Sequence, residues 1–597
     1  MALETNPPNL PHVSPHTVFA GDGKSGRHGQ KVNVSRNYYD AVADSLVTAR
    51  EDESARRSLL VGIVFLAVVL LIQWSVGAYR GEHGIDSDDA AHFMNGLLVR
   101  DYVTDGMAQH PIAYAREYYT SYPKIAPGMW PPLFHVVLGV FLLPQWPPQA
   151  AALVLLALIS AWAAWRLYRI VTLFASRPTG FLLSLLFVST PLVVALTTSI
   201  MLDVVVAALA IEATFWLAVF LRSAHWRHAA LFGLFTALCC LTKGNGISLV
   251  FAPFVAILLT GRYDLLRRSG LYLAAAIIVV LAVPALALTY QLDAAIGDFA
   301  PVTFRLVLTR LGYYCAYLWA ELGPSATIAA VIGIVDSIRR GRRWPEDASL
   351  PLAQAMTGLV AGSFIFHLLN PHLLASIRYM TLTIAPLYAL AGIGILTAGR
   401  FIAGKRHHTI HAALVGVLFV TTFFARPELS VRKPFGYRDM VNALQSRDPI
   451  AGKRVLIVSD ESGEGALVTD VATRRLHPRP LVLRGSKLLG TDNWNGQNFV
   501  MRFSSAQAVI QELEDRHVNY LVIDSSPEAV RVPYWGLVQE LVASHADRLQ
   551  LEFRNTVDSR NGPTRPLAVY RLKHQSAGPP KPLTVDFSES VQKLLKR

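Results

Sequence analysis

Long apolar runs alternate with short basic turns through the first 425 residues of the 597-residue chain. They fall at roughly 59–79, 150–170, 180–200, 204–221, 228–242, 247–260, 271–290, 323–338, 351–369, 379–397 and 409–424. About 20 apolar residues in helical conformation match the hydrocarbon core of a bilayer, and shorter runs cross by tilting or by shelter from neighbours. The pattern predicts a polytopic α-helical membrane protein with about 11 transmembrane helices. The stretch PPLFHVVLGVFLLP (131–144) is too short and too Pro-bounded to cross, which predicts an interfacial or re-entrant segment.

Beyond residue 425 the period changes. KRVLIVSD (453–460), RPLVLRG (479–485) and NYLVIDSS (519–526) read as short buried strands, and EGALVTDVATRRL and SAQAVIQELEDRH between them read as helices. These predict a small C-terminal α/β domain over 430–573, outside the membrane. SDESGEG (459–465) follows a strand and is Gly-rich, but its spacing fits no phosphate-binding loop and reads as a turn. Residues 1–57, with Pro7, Pro8 and Pro11, read as a disordered cytoplasmic tail, and 574–597 as a flexible one.

Charge orients the bundle. Arg56 and Arg57, then Arg166, Arg169 and Arg177, Arg222 and Arg227, Arg262, Arg267 and Arg268, Arg339 to Arg343, and Arg400 to Arg406 mark every second loop. All fall on one side if the N-terminus is cytoplasmic. The external side then receives 80–149, the turns at Asp203 and Lys243, 291–322, 370–378 and everything after 425. Composition agrees, with 52% hydrophobic and only 16% charged residues against about a quarter in soluble proteins. The net charge of +13 lies largely in these turns, so no nucleic-acid partner follows from it. Three cysteines, two of them adjacent, supply neither a disulfide framework nor a metal spacing.

Ionisable residues gather on the external side of this topology. GIDSDDAAHF (84–93) carries Asp86, Asp88, Asp89 and His92 just past the first run; Asp203 lies in SIMLDVVVAAL, Lys243 in LTKGNG and Arg378 in ASIRYMTL. Charge is costly at mid-bilayer and less so at its edge, where a site acting on a lipid headgroup belongs. Each residue also has a plain structural role open to it. The aspartates can begin helices, Lys243 can snorkel, and Arg378 can anchor to headgroups. His83, Asp86, Asp88 and His92 are of the right types for a divalent metal, but no motif such as HExxH is present, and no cofactor follows.

In this order, the acidic pair Asp88-Asp89, MWPPLFHVVLGVFL, MLDVVVA, LTKGNG and RYMTLTIAPL resemble the GT-C glycosyltransferases. The resemblance is to the protein O-mannosyltransferases and lipid A aminoarabinose transferases, and covers about 59–400. Asp89 stands where the family usually has Glu, and His92 follows where it has Tyr or His. The resemblance implies a catalytic membrane domain over 58–425 and transfer of a sugar from a polyprenyl-phosphate donor; whether a divalent metal assists is left open. The acceptor hydroxyl would belong to a glycolipid, a polysaccharide or a protein. It further implies Asp88 as general base with Asp89 beside it, and Asp203 orienting the acceptor or the first loop. Lys243 and Arg378 would offset charge on the departing phosphate, with His92, Arg116 and Lys124 as further substrate-binding candidates. A lipid-linked-sugar flippase or a non-catalytic scaffold would also use charge near a membrane, but the internal repeats common in transporters are not evident here.

Overall fold

In the computed structural model the described residues are 51–83, 86–144, 146–296, 301–341, 349–372, 375–403, 407–491, 499–555, 557 and 563–582. The tail expected over 1–57 lies outside them up to residue 50, as does the last part of the C-terminal tail from residue 583.

All of the apolar runs become helix. Among the described residues six helices are long and apolar enough to cross a membrane, or up to eight if each of two bent pairs counts as one span. The six are α1 (Arg56–Ser75), then α5 (Pro148–Val171) and α8 (Asp203–Ser223), and finally Ser269–Gln291, Leu350–Leu369 and Ile377–Ile402. The bent pairs are Arg177–Val188 with Pro191–Thr197, at 61°, and Phe304–Leu322 with Pro324–Arg340, at 116°. Trp226–Thr242, Gly244–Thr260 and Ile410–Phe424 are shorter apolar helices. The bends fall where proline removes a backbone donor and clashes with the turn before it, so a single apolar run need not be one straight span. Between α1 and α5 the first loop folds into α2 (Ser87–Asp101), α3 (Pro111–Ser121) and α4 (Leu133–Phe141), the last being the short segment of 131–144.

Burial sorts the helices. The apolar window of α8 is 94% buried within the protein, whereas that of Ser269–Gln291 is 11% buried and presents Tyr272, Val279 and Val280 outward. A helix apolar all round belongs at a bundle centre, and an uncovered apolar face belongs in lipid. Two polar groups inside the bundle show how such groups are paired. Gln73 of α1 donates to the carbonyls of Leu153 and Thr197 (2.9 and 2.8 Å) and accepts from Tyr79 (2.7 Å). Arg166 of α5 pairs with Glu212 of α8 and lies over the Phe215 ring.

The C-terminal part forms a five-stranded sheet. β1 (Arg454–Val458) pairs in parallel with β2 (Leu481–Arg484) and β3 (Tyr520–Asp524); β3 pairs antiparallel with β5 (Leu567–Leu572), and β5 with β4 (Leu549–Arg554). The order is therefore β2-β1-β3-β5-β4. Asp460 caps helix α18 (Glu461–Thr473) by accepting from Gly463 N, so SDESGEG is a helix start.

The sheet unit rests on the first loop. Helix Tyr437–Arg447 begins at Gly436 without a cap of its own, and Glu82 supplies one, accepting from the Tyr437 and Arg438 N–H groups (3.1 and 2.9 Å). Arg475 pairs with Asp105 (2.8 Å), and Arg479 donates to Tyr114 Oη (2.7 Å). The resulting seam runs along α2 and α3.

Helices Pro324–Arg340 and Ile377–Ile402 cross at Gly333 and Gly394, where an added Cβ would collide with the Leu390 and Ala329 carbonyls of the opposite helix. Close approach through small residues is what holds such crossings. Gly394→Val is expected to cost more than the about 1–3 kcal/mol of ordinary overpacking. Size-exclusion chromatography in detergent should show loss of the monodisperse species, with Leu359→Met as the tolerated control.

Candidate active site

Asp86, at the N-cap of α2 with extended backbone (φ −126°, ψ 141°), accepts from the Asp88 N–H at 3.0 Å. Arg378, at the start of the apolar helix Ile377–Ile402, reaches across 290 residues of sequence to both acids. Its Nη1 donates to Asp86 Oδ2 (2.9 Å) and its Nη2 to Asp88 Oδ2 (2.7 Å). One planar fork thus holds two carboxylates side by side. Burial and the Asp88 charge push the Asp86 carboxyl above its usual range. The segment leading to Arg378 is itself clamped, since Arg310 donates to the Asn370 and His372 carbonyls.

Asp89 is one residue further round α2 and serves other partners. Its Oδ1 accepts from the Ile200 N–H (2.9 Å) and pairs with His83 Nδ1 (3.1 Å), and the residue is 3% exposed. It ties α2 to the turn that precedes Asp203.

Asp203, the first residue of α8, takes both its bonds from Lys243 Nζ (2.7 and 2.8 Å). Both are buried. The Tyr379 ring joins this pair to the first, with Lys243 Nζ 5.2 Å and the Arg378 guanidinium 5.9 Å from its centre. Around the same ring lie polar atoms without partners. Asn245 donates to the Tyr379 carbonyl (3.4 Å) but its Oδ1 is buried and unbonded; His367 stacks on Tyr379 (5.6 Å, 11°) with Nε2 unbonded. Buried polar atoms left open in a native structure are normally filled by a ligand or water.

His92 meets His135, Nδ1 to Nε2, at 3.2 Å, under the edge of Trp130, and its own Nε2 is unbonded. Burial holds both imidazoles neutral. His135 is pushed down to about 4, and His92 well below its ordinary value, with His135, Lys243 and Arg378 adding to the effect. Lys124, also buried, is pushed down to about 8 by burial and by Arg484, against the pull of Glu461, Glu464 and Asp88. That depression from 10.5 corresponds to roughly 3 kcal/mol against the bare ammonium.

Of the residues singled out from the sequence, Arg378 lies within electrostatic reach of Asp88, Asp203 and His92, Lys243 within reach of His92, and Lys124 within reach of Asp88. The acids and bases are already cross-paired, Arg378 with Asp88 and Lys243 with Asp203. Asp89 faces His83 and Ile200, and Arg116 lies on the exposed side of α3. Asp86 and Asp88 share Arg378, His83 pairs with Asp89 and His92 meets His135; among the described residues no group of three or more such side chains is placed for a metal ion. Asp86 as a second Arg378 ligand, His135, Asn245, His367 and Tyr379 add to the set. Of these, Asp86 stood out in the sequence within GIDSDDAAHF, and Tyr379 and Asn245 by their closeness to Arg378 and Lys243.

Residues 131–287 match the family model described as dolichyl-phosphate-mannose-protein mannosyltransferase. The fold is similar to apo ArnT from Cupriavidus metallidurans, at 14% identity and a TM-score of 0.51 over 85% of this chain and 97% of that one. The same protein bound to undecaprenyl phosphate gives 14%, 0.49 and the same coverage. The Archaeoglobus fulgidus oligosaccharyltransferase AglB, in complex with an inhibitory peptide and a dolichol-phosphate, gives 12%, 0.43, and 78% and 69%. A search of curated protein sequences finds no match. The family model thus matches about a quarter of the chain, residues 131–287 of 597, and the likeness of fold to ArnT spans most of it.

Removing one partner of a buried ion pair strands the other, at about 3–5 kcal/mol. Lys243→Met alone should lower the unfolding midpoint in detergent clearly, and Asp203→Asn with Lys243→Met should recover most of that loss without restoring activity. Equal stability of the single and double variants would show that the pair is not coupled.

Proposed function

We propose that the protein moves a sugar from a polyprenyl-phosphate donor to an acceptor hydroxyl on the extracytoplasmic face, with Asp88 as general base. The observation that carries this is the single fork of Arg378 on Asp86 and Asp88 at the start of an apolar helix, beside two more buried cations, Lys243 and Lys124. A carboxylate there suits a proton acceptor, and clustered cations suit a phosphate that arrives with its tail in lipid. The matching family's description also names a lipid-phosphate-linked sugar as donor.

In the proposed step the acceptor oxygen passes its proton to Asp88 as it bonds to the anomeric carbon. The bond from that carbon to the phosphate oxygen breaks, and its electron pair stays on the phosphate. Direct displacement of this kind inverts the anomeric centre. Before donor binding, Asp86, Asp88 and Asp203 balance Arg378, Lys243 and Lys124 in formal charge, although Lys124 makes no ion pair among the described residues. An incoming phosphate competes with the carboxylates for these cations. Loosening Arg378 from Asp88 as the donor arrives would free the Asp88 oxygen it holds to take the acceptor's proton. Asp86 keeps Arg378 in place meanwhile. Asp89 is assigned to positioning α2, and His92, held neutral, to hydrogen bonding through its open Nε2. The expected eleven-span topology with a cytoplasmic N-terminus, and the separation into a membrane domain over 58–425 and an external α/β domain over 430–573, belong to this proposal as well.

The test uses membranes charged with a radiolabelled polyprenyl-phosphate sugar. Asp88→Asn should cut transfer out of the lipid fraction by about 10²–10⁴-fold while the protein still folds and inserts. Transfer at the wild-type rate would remove Asp88 from the chemistry.

Lys124 sets a pH expectation. Its ammonium is present below about 8 and is lost as pH rises through that value, so kcat/KM for the donor should fall on the alkaline side. Lys124→Arg should move that limb upward, and an unmoved limb would assign it to another group.

A further inference from the structure

The C-terminal sheet unit reaches the site through helix α18. A Cβ placed on Gly465 would sit 2.8 Å from Ala90 Cβ of α2 and 3.2 Å from Lys124 Cε. The Lys124 side chain thus lies along α18 in space that any larger residue would occupy. The backbone beside it is held from the same unit, because Arg484 of β2 donates from Nη1 to the Pro123 carbonyl at 3.3 Å. Arg484 in turn is fixed by Glu464 of α18, whose carboxylate accepts from Arg484 Nε (2.7 Å), Ser486 N (2.8 Å) and Ser486 Oγ (2.7 Å). Glu464 is fully buried. The ammonium that this scaffold places is itself 5% exposed and makes no ion pair among the described residues. It lies within electrostatic reach of Asp88 on the membrane side and of Glu461 and Glu464 on the other. A buried cation held in position without a partner is complementary to an anion that is not part of the chain.

We propose that Gly465 and Arg484 are positioning residues for Lys124, so that the C-terminal α/β unit forms one wall of the pocket for the donor's phosphate. The unit then acts in donor binding as well as in any contact it makes with the acceptor. This rests on the reading of the donor as a polyprenyl phosphate sugar. It also explains why the helix of the sheet unit that faces α2 carries glycine at 465, in its first turns.

The test measures binding of a polyprenyl monophosphate to the full-length protein in nanodiscs, with the unfolding midpoint read on every sample. Gly465→Ala and Arg484→Gln should each weaken binding at least tenfold, as Lys124→Met does. Combined with Lys124→Met, neither should weaken it further. Arg475→Gln, which removes a seam contact to Asp105 remote from Lys124, should bind as wild type. If Gly465→Ala or Arg484→Gln fails to fold, Arg484→Lys takes its place: it keeps the charge but lacks the second N–H that reaches Pro123, and it should show the same loss. Wild-type binding by folded Gly465 and Arg484 variants, or losses that add to that of Lys124→Met, would overturn the proposal while leaving the donor reading intact. Absence of binding by the wild-type protein would overturn both.

Discussion

The interaction on which the site depends is the bridge from one arginine to two aspartates. Asp86 and Asp88 stand at the first turn of α2, where backbone N–H groups favour negative charge but the two carboxylates repel each other. Arg378 relieves that repulsion by donating to both, at 2.9 and 2.7 Å. The same contact fixes the first loop against the start of Ile377–Ile402, so the loop and the bundle share one geometry. Everything else around it is arranged by secondary contacts. Arg310 holds the carbonyls before Arg378, Asp89 holds α2 to Ile200, and Tyr379 lies between the Arg378 and Lys243 charges.

This arrangement reconciles two demands on a site at the edge of lipid. Charge there must be paired to be tolerated, yet a phosphate donor needs cations that can turn toward it. Cross-pairing meets both, because each cation has a carboxylate partner that it can share with a ligand. Lys124 is the exception. It is buried and makes no ion pair among the described residues, and Gly465, Glu464 and Arg484 of the C-terminal unit hold the segment around it. Open atoms on Asn245, His367 and His92 complete a surface that is polar where a headgroup would lie.

The helices were legible because apolar runs of helical length have few other outcomes. The number of spans was not. Pro191 and Pro324 bend two apolar segments by 61° and 116°, and periodicity alone does not distinguish a bent span from two helices. The three parallel strands were visible as continuous apolar runs. The outer pair was missed, since LQLEFR (549–554) alternates apolar and polar residues and leaves Leu551 half-exposed. In the site, Asp88, Asp203, Lys243 and Arg378 stood out because charge beside apolar sequence is expensive. Which acid meets which base depends on packing between segments up to 292 residues apart, and no local signal encodes that. The separate duties of Asp88 and Asp89 follow from their places on α2, about 100° apart around the helix. His135 and His367 were hidden because an aromatic ring near a helix end is ordinarily core.

The central claim is that Asp88 takes the proton from an acceptor that receives a lipid-borne sugar. Mass spectrometry of envelope glycoconjugates in cells lacking the protein, complemented with wild type or with Asp88→Asn, tests it most directly. The account predicts that one glycoconjugate loses a single sugar mass, that wild type restores it, and that Asp88→Asn at equal expression does not. Restoration by Asp88→Asn would contradict it and give the carboxylate a structural role alone.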